Sequence, residues 1–285
     1  MTVTSRALTS RREFVAAVAG VGLLPRTMTG TASLASAGAP LRLGLASYSL
    51  RKFPLDTCLE MAKATGVKYI NFKDVHLPRT DPPEAISAAR AKIEAAGFTI
   101  AGGGTISMKN DPAQVRKDFE YARLAGMPVI VAAPTIDSLD LVERLAKEFD
   151  IGVAIHNHGP EDKVFPSPYD VYKAIKGRDR HMGLCVDVGH SWRAGADPTR
   201  AVLELHDRIY DLHLKDLSNL KEKDSQVIVG KGAIDFPSLF RALVKIGFTG
   251  HAGLEYEIDA DDPLPGIQQS MAYMRGVLAG IASTT

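Results

Sequence analysis

The sequence has two cysteines, one tryptophan and almost no net charge in 285 residues. Cys58 falls on a helical pattern and Cys185 inside an apolar strand, so both read as small core residues. Nothing in their spacing points to a disulfide. A formal net charge of +1 provides no steering field for nucleic acid or for an acidic membrane. The apolar run Val15–Leu24 is shorter than the roughly 20 residues that a permanent membrane anchor needs. No G-x-G-x-x-G follows the first strand-like stretch, which argues against an open dinucleotide-binding sheet. What remains is an ordinary globular composition, 45% hydrophobic and 24% charged, sufficient for one sizeable core.

Residues 1–37 read as a leader rather than as part of the fold. Ser10-Arg11-Arg12-Glu13-Phe14 precedes the apolar run, and Ala35-Ser36-Ala37 offers an A-x-A cleavage site. The paired arginines resemble a twin-arginine signal, so export to the bacterial periplasm is expected, with 38–285 as the mature domain. Changing Arg11 and Arg12 together to Lys should hold the precursor in the cytoplasm. Undiminished cleaved protein outside the cytoplasm would sink this reading.

From Leu41 onward strands and helices alternate. The strand-like stretches are Leu41–Ser47, Lys68–Phe72, Phe98–Gly103 and Pro128–Pro134, followed by four more in the second half. Helical patterns intervene at Leu55–Thr65, Pro82–Ala96, Pro112–Leu124 and Ser138–Phe149, then at Tyr169–Ile175, Thr199–Leu205, Phe236–Ile246 and Pro265–Leu278. Asp111 is the expected N-cap of the third helix, with Pro112 in its first turn. Eight such units predict parallel strands closed into a single-domain α/β (β/α)₈ TIM barrel. The run Gly102-Gly103-Gly104 reads as a tight turn at the end of strand three.

The last four strands end in metal-type ligands: GVAIHNHGP (Gly152–Pro160), GLCVDVGH (Gly183–His190), IYDLHLKD (Ile209–Asp216) and GHAGLEYE (Gly250–Glu257). One such ending is weak evidence, because buried acids and histidines are often merely paired. Four in succession fit a barrel whose active site lies at the C-terminal strand ends. His156 and His158 share a strand face, so either could be the strand-five ligand. The longest break, Leu217–Asp235, is polar and holds a glycine-rich stretch that could cradle an anion but lacks a P-loop ending.

Asp187-Val188-Gly189-His190, His213-Leu214-Lys215-Asp216, Gly230-Lys231-Gly232-Ala233-Ile234-Asp235 and Leu254-Glu255-Tyr256 resemble the D-x-G-H, H-x-K-D, G-x-G-x-I-D and L-E motifs of the sugar phosphate isomerase/epimerase family, the xylose-isomerase-like barrels. The resemblance covers strands six to eight. It implies one divalent ion, Mn²⁺, Mg²⁺, Co²⁺ or Zn²⁺, with Asp187, His213 and Glu255 as ligands and His156 at the position where many members carry Glu. A histidine can ligate through a neutral ring nitrogen but does not inherit a carboxylate's role as base.

Glu255, Lys215 and His190 are the expected catalytic groups. Lys73, His76, His158, His190, Trp192, Lys231 and Glu257 are the expected substrate contacts. Asp74 accompanies Lys73 at the barrel mouth. His181, His206 and His251 read as structural. The expected activity is isomerisation or epimerisation of a sugar or keto-sugar through an enediolate. The alternatives are a lyase or dehydratase, or a 3-keto-glycoside-cleaving enzyme, on the same barrel, and a non-catalytic sugar-binding module. The expected partner is a small sugar or glycoside, without nucleic acid and without a membrane for the mature chain; homo-oligomerisation is left open.

Overall fold

The computed structural model describes residues 41–283, so the leader expected at 1–37 lies outside the described residues. Eight parallel strands close into a barrel: β1 (Arg42–Ala46), β2 (Tyr69–Phe72), β3 (Thr99–Met108), β4 (Val129–Pro134), β5 (Gly152–His156), β6 (Met182–Asp187), β7 (Ile209–Leu214) and, after a two-stranded ribbon, β10 (His251–Leu254). The ribbon pairs β8 (Asp216–Leu217) with β9 (Gln226–Val227) in antiparallel fashion. Around the barrel lie α1 (Leu55–Ala64), α2 (Pro83–Ala95), α3 (Pro112–Leu124), α4 (Leu139–Phe149), α5 (Pro168–Ile175), α6 (Val188–Arg193), α7 (Pro198–Glu204), α8 (Phe236–Lys245) and α9 (Leu264–Ala282). Among the described residues no helix is long and apolar enough to cross a membrane.

Local chemistry starts the helices where expected. The Asp111 carboxylate accepts from the Ala113 and Gln114 N–H groups, satisfying two donors that an open helix end would leave unpaired. Ser167 and Asp170 form a reciprocal capping box at α5. Cys58 and Cys185 are free and buried, and burial pushes the Cys58 thiol up to about 12.

Two expectations need correction. The Gly102–Gly104 run is not a strand-end turn but lies inside β3, where the pairing register with β4 shifts between Gly103 and Ile106. A Cβ at Gly102 or Gly104 would overlap a carbonyl of β4, so the β3 backbone approaches β4 more closely than an alanine would allow. Nor is the glycine-rich stretch after the ribbon a free anion cradle. Asp216 already fills that role: its Oδ2 accepts from Gly230 N (2.9 Å) and Gly232 N (3.0 Å), and its Oδ1 from Ile234 N (3.1 Å) and Leu217 N (2.9 Å). A Cβ at Gly232 would strike that carboxylate. The H-x-K-D aspartate and the G-x-G-x-I-D glycines are therefore two halves of one structural clasp.

The N-terminal end of the barrel is closed by His251, whose Nδ1 lies 2.9 Å from Asp211 Oδ1; Asn71 donates to the other carboxylate oxygen. His181 sits between Asp179 and Asp150, and His206 contacts the Leu203 carbonyl. All three histidines are structural, as expected.

Candidate metal centre

Strand endings place the ligands. His156 is the last residue of β5 and Asp187 the last of β6, where it also caps α6 by accepting from His190 N. The register sets Asp187 beside His213 on β7. Glu255 follows β10, and its N–H donates to Leu214 O, so the pleat continues one residue past the strand and turns the carboxylate toward the axis. Asn157 locks β5 to β6: its Oδ1 accepts from Asp187 N and its Nδ2 donates to Asp187 O and Ser191 Oγ.

One ligand atom from each of His156, Asp187, His213 and Glu255 lies within 4.8 Å of the others, and all four residues are buried. His156 Nε2 is 2.9 Å from His213 Nδ1 and 3.6 Å from Asp187 Oδ2, and His213 Nδ1 is 3.3 Å from Glu255 Oε2. Asp187 Oδ2 is fully buried and shares this point with the Lys215 ammonium, 3.1 Å away. Two imidazoles and two carboxylates around one point fit a divalent ion of borderline hardness.

Charges here are strongly coupled. Burial alone would raise the carboxyl of Asp187, but His190, Lys215 and His156 outweigh it and hold the group well below the usual carboxylate range. Glu255 behaves likewise, with His213, Lys215 and Lys73 overcoming burial. Desolvation lowers His156 well below the ordinary imidazole value and lowers His190 as well. Lys215 stays charged despite burial because Asp187, Glu255 and Glu257 surround it. Its Nζ lies 3.1 Å from Asp187 Oδ2 and 3.0 Å from Glu255 Oε2, and it pairs with Glu257.

Above this floor opens a cavity of about 410 Å³, lined by Lys73, His156, His158, His190, Glu255 and Glu257, with Tyr48, Asp74, Val75, Gly104 and Thr105. His158 stands toward the mouth, its ring centroid 4.4 Å from that of His156, and lies outside the four-ligand group. Lys73 Nζ is 3.1 Å from Glu255 Oε1. Lys215 is buried and does not line the cavity; its ammonium is paired with Glu255 and Glu257, which do.

Three expected substrate contacts lie elsewhere. His76 is buried under the β1 turn, with Nδ1 2.9 Å from Ser47 Oγ and Nε2 near the Leu50 and Phe53 carbonyls. Trp192 packs against the core from α6. Lys231 is exposed and donates to Gln269 on α9. Conversely, Tyr48 and Thr105 line the cavity without having been singled out. Neither ends an apolar run in a ligand, so the sequence offered no signal for them.

Comparisons with known proteins bear on the fold and the family. The rhizopine catabolism protein MocC of Rhizobium meliloti is 30% identical over 141 residues, covering 44% of this chain and 42% of that protein. An inosose dehydratase of Klebsiella pneumoniae is 30% identical over 134 residues, covering 41% of this chain and 44% of that protein. The matches thus span less than half the length of these curated relatives. The structure of 3-keto-D-glucoside 4-epimerase YcjR from E. coli superposes with a TM-score of 0.65 at 16% identity, covering 83% of this chain and 99% of that one. The IolI protein with a bound zinc atom gives 0.69 at 15% identity, covering 84% and 99%. At these identities the two structures show the shared fold alone. The profile of the family described as "Xylose isomerase-like TIM barrel" matches residues 59–277, and the chain belongs to that family.

Proposed function

We propose that the protein is a divalent-metal-dependent enzyme that removes a proton beside the carbonyl of a sugar or keto-sugar and returns it as an isomerase or epimerase. The observation that carries this reading is the convergence of His156, Asp187, His213 and Glu255 at the floor of a sugar-sized polar cavity. A divalent ion held there would supply Lewis acidity toward a carbonyl and favour the enediolate. Glu255 faces the cavity as an ionised carboxylate and is the first choice for base. Lys73 reaches the same cavity and holds a developing oxyanion. His190, at the wall, can relay a proton. The epimerase YcjR and the zinc-containing IolI protein support this reading by analogy of fold.

A second reading, elimination, is favoured by one residue. His156 stands where a second carboxylate base is expected, and a one-base site suits loss of water or of a glycosidic group. The partial likeness to an inosose dehydratase points the same way.

Turnover of free and 3-keto sugars in D₂O, followed by NMR, separates the two. An isomerase or epimerase leaves deuterium on carbon in a product of unchanged formula, whereas elimination gives an unsaturated sugar and a released group. His156→Glu is expected to raise epimerisation and lower elimination, with metal content measured alongside. Unchanged rates and products in the metal-loaded variant would remove position 156 from the chemistry.

A further inference from the structure

A second cavity, about 640 Å³, opens beside the metal cavity on the same end of the barrel. Its walls are the segment after β2, with Asp74, Val75 and Arg79, and the first turns of α3, with Gln114, Lys117 and Asp118. Asp74 and Val75 also line the metal cavity, so the two spaces are neighbours across a wall one or two side chains thick. Asp74 is solvent-accessible and Val75 is 48% exposed, so that wall is low and open to water.

Asp118 is the unusual group. It is 1% exposed on a helix, and one carboxylate oxygen is fully used: Oδ1 accepts from Arg79 Nη1 (2.9 Å) and from Gln114 Nε2 (3.2 Å). Its Oδ2 is buried and accepts from nothing. A buried carboxylate oxygen without a donor costs free energy, so a donor arriving from the cavity is favoured.

The charge balance indicates which donor. Arg79 is committed twice, to Asp118 and through Nε to both oxygens of Asp74. The arginine is therefore matched against two carboxylates, and Lys117 is the remaining cation of the lining. A phosphate or carboxylate would meet Asp74 and Asp118 and gain little. A neutral hydroxylated ring can donate to Asp118 Oδ2 and accept from Gln114 and Lys117.

We propose that this cavity is a second sugar subsite, so that the substrate is a two-ring neutral glycoside with its reacting ring over the metal centre and its other ring beside Asp118. The assignment rests on the reading of the first cavity as a sugar site. It extends that reading from a monosaccharide to a glycoside. Each cavity falls in the range of roughly 300–1,000 Å³ that small-molecule sites occupy. Asp118 acts as a specificity residue some distance from the chemistry, and it also ties the β2 loop to α3 through Arg79.

The test is calorimetric binding to the full-length, metal-loaded protein. The probes are methyl glucoside and methyl galactoside, the disaccharides cellobiose, maltose and lactose, and the 3-keto forms of all five. At least one disaccharide should bind about tenfold more tightly than its one-ring counterpart, equivalent to about 1.4 kcal/mol. In Asp118→Asn, which keeps an acceptor for Arg79 but replaces the free oxygen by a donor, that ratio should collapse toward one. Lys117→Trp, at an exposed helical position, should fill the cavity and collapse the ratio without touching the Arg79–Asp118 pair. A merely structural Asp118 would lower the melting temperature and leave the ratio alone. The subsite is overturned if no disaccharide outbinds its counterpart, or if both variants retain the preference. Failure of the metal-site reading shows separately, as metal absent from the wild-type protein.

Discussion

Replacing Glu255 or His213 by Ala is expected to strip the protein of its metal and abolish turnover. Both side chains are buried, His213 in β7 and Glu255 directly after β10. Their ligand atoms stand 3.3 Å apart, so a single ion can engage both. Losing even an outer-sphere partner of a metal ligand costs about 10- to 100-fold in affinity. Loss of a direct ligand should exceed that, leaving the purified variant with a small fraction of an equivalent by elemental analysis. Glu255→Ala should be the more severe for catalysis, because it also removes the carboxylate that faces the cavity. His213→Ala should be the cleaner for affinity, because His213 does not line the cavity. Stoichiometric metal in both variants, with the fold confirmed by circular dichroism, would refute the ligand assignment.

Lys215→Met is expected to produce the largest loss of stability in the metal-free protein. The ammonium is the shared counter-charge of Asp187, Glu255 and Glu257, with Nζ 3.1 Å and 3.0 Å from oxygens of the first two. Methionine matches much of the volume but leaves three carboxylates facing one another. Removing one partner from a buried ion pair costs roughly 3–5 kcal/mol. Added divalent metal should recover part of that loss, so the melting temperature of the variant should rise more steeply with metal than that of the wild type. The pH dependence has a definite sign. Asp187 and Glu255 are depressed in the folded protein, so their stabilisation is present above the unfolded carboxylate range and is lost as pH falls through their folded values. Without Lys215 the depression shrinks, so the difference in stability between wild type and variant should narrow as the solution is acidified. A deficit that is insensitive to both metal and pH would show that Lys215 acts through packing alone.

Most of the barrel is legible in the chain because its signals are local. An apolar run that stops at a polar side chain marks a strand end, and Asp111-Pro112 marks a helix start, whatever lies around them. The observed elements accordingly fall within a few residues of those expected, apart from β3, which runs on to Met108, α6, which the D-x-G-H motif itself begins, and the β8–β9 ribbon, whose second strand lies in the expected polar break. His156, Asp187, His213 and Glu255 can be singled out for the same reason, since a barrel brings all its C-terminal strand ends together.

Residues in turns carry no such guarantee. Lys73 and His76 are three positions apart at the same barrel mouth. One faces the cavity and the other is buried under the β1 turn, because the chain reverses between them and the Ser47 hydroxyl captures the imidazole. Lys231 looks like a substrate contact in sequence, but Asp216 has drawn the flanking N–H groups onto itself and left that lysine facing solvent.

Composition, periodicity and strand endings were thus enough for the barrel and for the cluster of histidines and carboxylates gathered at the C-terminal ends of its strands. They were not enough to say which of two lysines lines the cavity, or that a carboxylate on α3 lies beside the site with one oxygen unpaired. Those outcomes depend on distances between groups far apart in the chain. Lys73 and Lys215 both reach Glu255, from β2 and β7, and only the closed barrel puts one of them in the cavity lining and leaves the other out of it. Periodicity specifies the face of an element on which a side chain lies; the packing of neighbouring elements decides whether that face meets solvent, substrate or another charge.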